Sequence, residues 1–436
     1  MHFYNRYGEG KMQKNYCTPI PAARISDKVS PELKIATENA FAAEIYAVTA
    51  GGRTLLGKYD LKKGLESNRI YPDLSGTTGK FEFEINFKDS GGNTEETIRI
   101  PYEVVKSDVP STGMIDGCWI TLYHWSEAEG TYFNEGLKNL DADGWRQIIY
   151  SMHKAKITSV LIQNVFDAGN YAYQHNMTVD TYDGKAFYPS KLYKNRMPIK
   201  CEDPLEVILT AADECGMHVF PGVGMYAWFE FSPDSLEWHK RVTVELNERY
   251  GHHKSFYGWY ISEEIMGSLY FDYPAVPNEK YKDIQSFFRE YTAFVSRLTP
   301  TKPVALAPNN IHMHWYEKEW LPILENLDII IPFAFARSEY NIDEIMNMCR
   351  KTGTHFWVDM EMFAVPFTDG LRPKKIPDLL KEMKNYDKLE QIYGYQYTGI
   401  MNEPGHRMNL GLAETEKFYS EYMNYLKTKE ENGNGK

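Results

Sequence analysis

Two stretches of this 436-residue chain end in carboxylates that could do acid–base chemistry: Gly258-Trp259-Tyr260-Ile261-Ser262-Glu263-Glu264 and Trp357-Val358-Asp359-Met360-Glu361-Met362-Phe363. Each is a short apolar run that gives way to acidic residues. Two carboxyl groups flanking a glycosidic bond suffice to hydrolyse it: one protonates the leaving oxygen, and the other attacks the anomeric carbon or activates water. Asp359 and Glu361 share parity, so on a strand both face the same side. Glu264 and Glu361 are the leading candidates, with Glu263 and Asp359 beside them and Glu403, in Ile400-Met401-Asn402-Glu403-Pro404, as a spare. A lone carboxylate at such a place usually caps a helix or pairs with Lys or Arg. Carboxylates at two facing strand ends carry the chemical reading.

The elements that must position these groups follow Gly113, where apolar runs alternate with amphipathic stretches as in successive βα units. Eight strands are expected, at 117–123, 157–165, 218–225, 255–262, 303–308, 328–336, 355–362 and 392–400. Helical stretches such as DGWRQIIYSMHKA and NIDEIMNMCRKTG lie between them, several ending in a glycine of the kind that caps helices. No GxGxxG follows a strand, so a dinucleotide fold is disfavoured and a closed (β/α)8 TIM barrel is expected. Such barrels build their sites at the C-terminal ends of the strands. Candidate sugar-binding residues there are Trp119, His124 and Trp125 for the first strand, Gln163 and Asn164 for the second, and Tyr226 and Trp228 for the third. Asn309 and Asn310 follow the fifth strand, Arg337 the sixth, and Tyr395, Tyr397, Asn402 and Glu403 belong to the eighth. The long connection from Phe166 to Asp203 reads as a small hairpin or lid.

Before Gly113 the period changes to two. Phe81, Phe83, Ile85 and Phe87 alternate with Lys80, Glu82, Glu84 and Asn86, Asp89–Asn93 forms a turn, and ETIRIPYEVV returns, with Pro101 suited to an edge or bulge. The expected organisation is a tail (1–19), an immunoglobulin-like all-β sandwich (20–112), the barrel (113–428) and a disordered tail (429–436).

A net charge of −12 without a basic stripe disfavours nucleic acid as a partner. The 32 Tyr and nine Trp suit a carbohydrate substrate, because aromatic faces stack on sugar rings. Five cysteines without CxxC spacing suggest neither a zinc knuckle nor a disulfide framework, and no G-x-S-x-G elbow occurs. His312 and His314 form an HxH, but strands one, six and eight do not supply the further ligands of a metallohydrolase, so no metal or cofactor is expected. No run of 18 apolar residues predicts a membrane span, and the first 20 residues hold no signal-like apolar core. A periplasmic or extracellular setting after signal removal is the expectation.

The stretch Gly258 to Glu264 resembles the Gly-Trp…Asn-Glu ending of strand four in the clan A glycoside hydrolases. The resemblance implies that Glu264 is the acid/base, Glu361 the nucleophile of a retaining mechanism, and Asp359 an orienting group. Glu263 stands where that clan has an Asn that binds the sugar. A noncatalytic carbohydrate-binding barrel is the alternative this departure favours. The chain also resembles an uncharacterised group of bacterial glycoside hydrolase-like barrels sharing a Tyr-Pro-Ser segment, here within Ala186 to Tyr193, AFYPSKLY.

Overall fold

The computed structural model describes residues 14–123, 135–270, 281–364, 372–406 and 410–434. Period-two sequence before residue 106 becomes eight strands: β1 (Asn15–Ile20), β2 (Arg24–Ser26), β3 (Glu32–Thr37), β4 (Ala42–Thr49), β5 (Gly52–Asp60), β6 (Asn68–Ile70), β7 (Gly79–Lys88) and β8 (Thr94–Val105). They form sheets of order β1-β3-β6 and β2-β8-β7-β4-β5. Phe81, Phe83, Ile85 and Phe87 all point into the core shared by these sheets. The opposite face is less open than alternation implies. Glu84 is buried because Arg53 and Arg99 close over it at 2.6 and 2.7 Å. Pro101 pairs with Glu82 of β7, whereas β2 covers only Glu103–Val105, so the missing N–H faces an open stretch of β8.

The remainder is α/β. Its strands are β9 (Gly117–Ile120), β10 (Ser159–Ile162), the short pair β11 (Phe166–Asp167) and β12 (Lys185–Ala186), β13 (His218–Pro221), β14 (Trp259–Ile261), β15 (Val304–Leu306), β16 (Ile329–Ile330), β17 (His355–Phe356), β18 (Val358–Glu361) and β19 (Ile392–Tyr395). Its α-helices are α1 (Ala142–Lys154), α2 (Pro204–Cys215), α3 (Pro233–Tyr250), α4 (Tyr281–Leu298), α5 (Glu317–Leu324), α6 (Ile342–Thr352), α7 (Ile376–Met383) and α8 (Glu414–Asn434). Gly216 and Gly353 end α2 and α6 at positive φ, +66° and +72°, the backbone that lets each helix turn back to its strand. Every expected strand position holds a strand, each shorter than the apolar run because its ends peel into loops.

Two parallel sheets run β13-β10-β9-β19-β18 and β14-β15-β16-β17. Bridges Val219–Phe256 and Gly222–Tyr260 join β13 to the segment of β14. Trp357 alone separates β17 from β18, and its N–H donates to Ile330 O at 2.9 Å, as Asp359 N–H does to Pro332 O at 3.0 Å. Side chains alternate between two apolar clusters. Trp119, Leu161, Phe220, Tyr260, Ile329, Trp357 and Tyr393 face one another on one side of the strands. Val160, Val219, Trp259, Ile261, Val358 and Met360 face the helices.

Ile20 and Ala22 join the first of these clusters, and the Tyr257 hydroxyl donates to Pro19 O at 2.6 Å, so the N-terminal strands are fastened to the parallel ones. Arg24 adds a buried ion pair to Asp116, 2.8 Å, whose second oxygen accepts from Ile392 N–H. Ordered elements reach beyond the expected bounds: β1 pairs with β3 along its whole length, and α8 continues to Asn434.

Candidate active site

Strand parity decides which carboxylates meet. Tyr260 of β14 belongs to the cluster around Trp119, and on the same parity Ser262 and Glu264 open into a cleft. Glu263 has the opposite parity and is 1% exposed; its Oε2 accepts from Phe229 N–H at 3.2 Å, and Oε1 meets no hydrogen-bond donor among the described residues. Burial pushes its carboxyl well above the usual range, and Glu263 faces inward and does not line the cleft.

The cleft opens to solvent and is lined by Tyr123, Gln163, Asn164, Asp167, Met225, Trp228, Ser262 and Glu264. Asn164 is fixed by its Nδ2–H to Phe166 O, 3.0 Å. A Cβ on Gly222 would lie 2.4 Å from Gln163 O, and Gly224, at φ +104°, donates its N–H to Ser262 Oγ at 3.1 Å. These two glycines let the chain after β13 bend tightly across the mouth and present Met225 and Trp228. Trp228 stacks on Tyr171 of the long connection, ring centres 6.2 Å apart.

That connection is packed, as a hairpin of β11 and β12, rather than loose. Glu245 of α3 anchors its Tyr-Pro-Ser segment, accepting from the Tyr188 hydroxyl at 2.6 Å, Ser190 Oγ at 2.7 Å and Lys191 N–H. Asp167 sits on β11, facing the cleft, where burial pushes its carboxyl up to about 7. Sequence reasoning missed it. It stands three residues past Asn164, where the strand-end rule would select it, but only the β11–β12 pairing turns it toward Glu264.

Along Trp357 and β18, Trp357 faces one side with Asp359 and Glu361 on the same parity, while Val358 and Met360 face the helices. Both carboxylates are 5% exposed. Arg337 donates from Nε to Glu361 Oε1 at 2.7 Å. Burial raises Glu361, and Arg337 opposes it; burial also raises Glu264, and Arg337 is again the opposing charge. Asp359 is raised furthest, by burial and then by Glu361, and its Oδ1 has no partner among the described residues. Burial thus favours the protonated forms of all three carboxyls, while one guanidinium favours the ionised forms of Glu361 and Glu264.

Other expected contacts lie elsewhere. Trp119 is 1% exposed and packs edge-on against Tyr260 and Tyr393. Tyr226 is fully buried, its hydroxyl donating to Met177 O at 3.1 Å; Tyr397 is buried with its hydroxyl on Ser151. Asn309 and Asn310 are buried; Asn309 accepts from Ile311 N–H in its own loop, and Asn310 donates to Glu339 O in the loop after β16. Asn402 bonds Thr415, and Tyr395 lies opposite Glu361 in the β18–β19 register. Glu403 pairs with Lys154 at 2.7 Å and with His406, which outweigh its burial and hold it below the usual range. His312 and His314 turn to Glu339, at 2.8 and 3.5 Å. His124 and Trp125 fall outside the described residues. Among those residues, the His, Cys, Asp and Glu side chains close enough to share a metal ion are Glu206, His252 and His253, none of which lines the cleft. No helix among them is long and apolar enough to cross a membrane.

Residues 115–408 match the model of a family described as a domain of unknown function, DUF4434. The chain belongs to the DUF4434 family. No curated protein matches it in sequence. Among solved structures, the DUF4434 chain is similar to a protein of Bacteroides thetaiotaomicron provisionally named an alpha-L-fucosidase: TM-score 0.54, 18% identity, covering 74% of this chain and 96% of that one. That likeness is one of fold. Matches also reach a beta-glucuronidase of Parabacteroides merdae (TM-score 0.38, 13% identity, 88% of this chain and 47% of that one). Another is a GH2 beta-galacturonidase of Eisenbergiella tayi (TM-score 0.43, 11% identity, 91% and 69%). This chain thus spans about half the length of the glucuronidase.

Proposed function

We propose that this DUF4434 protein is a retaining glycoside hydrolase of oligo- or polysaccharides, acting in the periplasm or outside the cell. In this reading residues 20–112 are an immunoglobulin-like sandwich and 113–428 a closed (β/α)8 barrel. Its support is that each of the eight parallel strand positions pairs with parallel neighbours on both sides. A sugar ring rests on Trp228 in the cleft, with Gln163 and Asn164 as hydrogen-bonding partners.

One observation carries the chemistry: Glu264 opens into the cleft, and Arg337 is the cation acting on both Glu264 and Glu361. Glu264, raised by burial, gives its proton to the leaving oxygen as the glycosidic bond breaks. Glu361, whose ionised form Arg337 favours, bonds the anomeric carbon. Water then attacks that carbon, Glu264 takes its proton, and Glu361 departs as carboxylate. Burial and the neighbouring Glu361 hold the Asp359 carboxyl well above its usual range, which favours its protonated form and limits the negative charge beside Glu361. Retention requires the Glu264 and Glu361 carboxyls to stand about 5–5.5 Å apart in the working enzyme.

The test is a panel of aryl glycosides and glycans. Wild type turns over at least one; Glu264→Gln and Glu361→Gln each lower kcat by roughly 10²-fold or more with unchanged melting. Wild-type rates in either variant sink the assignment. The Arg337–Glu361 bond and the inward turn of Glu263 favour a second reading, a carbohydrate-binding protein without turnover. Saturable glycan binding across the panel with no bond cleaved selects it.

A further inference from the structure

On the helical layer, a buried histidine is built into the structure with a carboxylate at each of its ring nitrogens. His253 is 7% exposed, in the turn after α3, where its N–H donates to Tyr250 O at 3.0 Å. Asp213 of α2 holds the ring: Oδ2 lies 2.7 Å from Nδ1, and Oδ1 accepts from Ser255 N–H at 2.6 Å. The other ring nitrogen, Nε2, lies 3.3 Å from Glu206 Oε2, so a carboxylate stands on each side of the ring.

His252 adds a third donor. Its ring centre is 4.2 Å from that of His253, and ligand atoms of Glu206, His252 and His253 all lie within 4.8 Å of one another. Glu206 and His252 are exposed, so their side chains are free to close on an ion that needs donors about 2.0–2.2 Å away. Two imidazoles and one carboxylate suit zinc and its neighbours; magnesium and calcium prefer all-oxygen sites. Asp213 on the far nitrogen is the carboxylate–histidine–metal arrangement that fixes a ligating ring.

We propose that Glu206, His252 and His253 bind a divalent zinc-class cation, with Asp213 orienting His253. The ion would tie α2 to the turn joining α3 and β14. The full chain, free of any histidine tag and stripped with chelator, is titrated calorimetrically with zinc chloride and separately with magnesium chloride. One equivalent of zinc binds saturably, magnesium does not compete, and zinc raises the melting temperature. His252→Ala and Glu206→Gln, at exposed positions, melt as wild type without metal and lose zinc affinity by about tenfold or more; Asp213→Asn loses about 10–100-fold. Absence of zinc binding overturns the proposal, and so does binding of equal affinity and stoichiometry in the His252→Ala, Glu206→Gln double variant. A His253 ring that nuclear magnetic resonance shows doubly protonated at neutral pH and unmoved by zinc overturns it as well.

Discussion

Replacing Arg337 with Met should move the pH dependence of the proposed reaction upward. The guanidinium Nε lies 2.7 Å from Glu361 Oε1, with the side chain 41% exposed. Two unit charges about 4 Å apart interact by about 1 kcal/mol in water and about 4 kcal/mol at an effective dielectric of about 20. Exposure places this pair toward the lower end, at about 1.5 kcal/mol, which is about one pKa unit. Burial already raises Glu361, and Arg337 is the largest influence opposing it. Without Arg337 the carboxyl therefore ionises about one unit higher. A nucleophile must be ionised, so the acid limb of kcat/KM moves up by that amount and the rate below it falls about tenfold. Glu264 moves less, because Arg337 acts on it through charge without a hydrogen bond. The assay is kcat/KM against pH for wild type and Arg337→Met, with ¹³C carboxyl titration of Glu361 as an activity-free check. An acid limb and carboxyl resonance that stay in place, or move downward, refute the reasoning.

Three further outcomes follow from named contacts. Burial would lower His355, but Glu390 and Glu32 outweigh it and hold it at about 10. Its stabilising charge is complete below the unfolded value near 6.5 and lost as pH rises toward 10; urea stability should fall by up to about 5 kcal/mol over that window. His355→Gln should flatten the decline, and equal slopes in both proteins contradict this. Glu245→Ala strands the Tyr188, Ser190 and Lys191 donors, so limited proteolysis should newly cut within residues 166–203; an uncut segment contradicts the anchoring role. Trp228→Ala removes the stacking face of the cleft and should raise KM about tenfold with kcat little changed; an unchanged KM places the sugar elsewhere.

Much of this arrangement was legible in residue order. Alternation puts Phe81 to Phe87 into one core and puts Trp357, Asp359 and Glu361 on one face, because strand geometry leaves no other choice. The same parity separates Glu264 from Glu263, although both look equally placed when a strand end is read as a rim. Less legible were features fixed by distant partners. Glu84 is buried by Arg53 and Arg99, and Trp119 and Tyr226 are wholly inside although sugar-binding proteins use the same side chains outside. Asp167 reaches the cleft only through the pairing of β11 with β12, and Asn310 bonds Glu339, twenty-nine residues later. Local pattern decides which way a side chain leaves the strand; tertiary partners decide whether it meets water.

The central claim is that Glu361 carries the sugar during turnover. Its most direct test is to react the wild-type protein with a panel of activated 2-fluoro glycosides and map the adduct by peptide mass spectrometry. The account predicts a single glycosyl ester on Glu361. An ester on Glu264 or Asp167, or turnover of a substrate with inversion at the anomeric carbon, contradicts it.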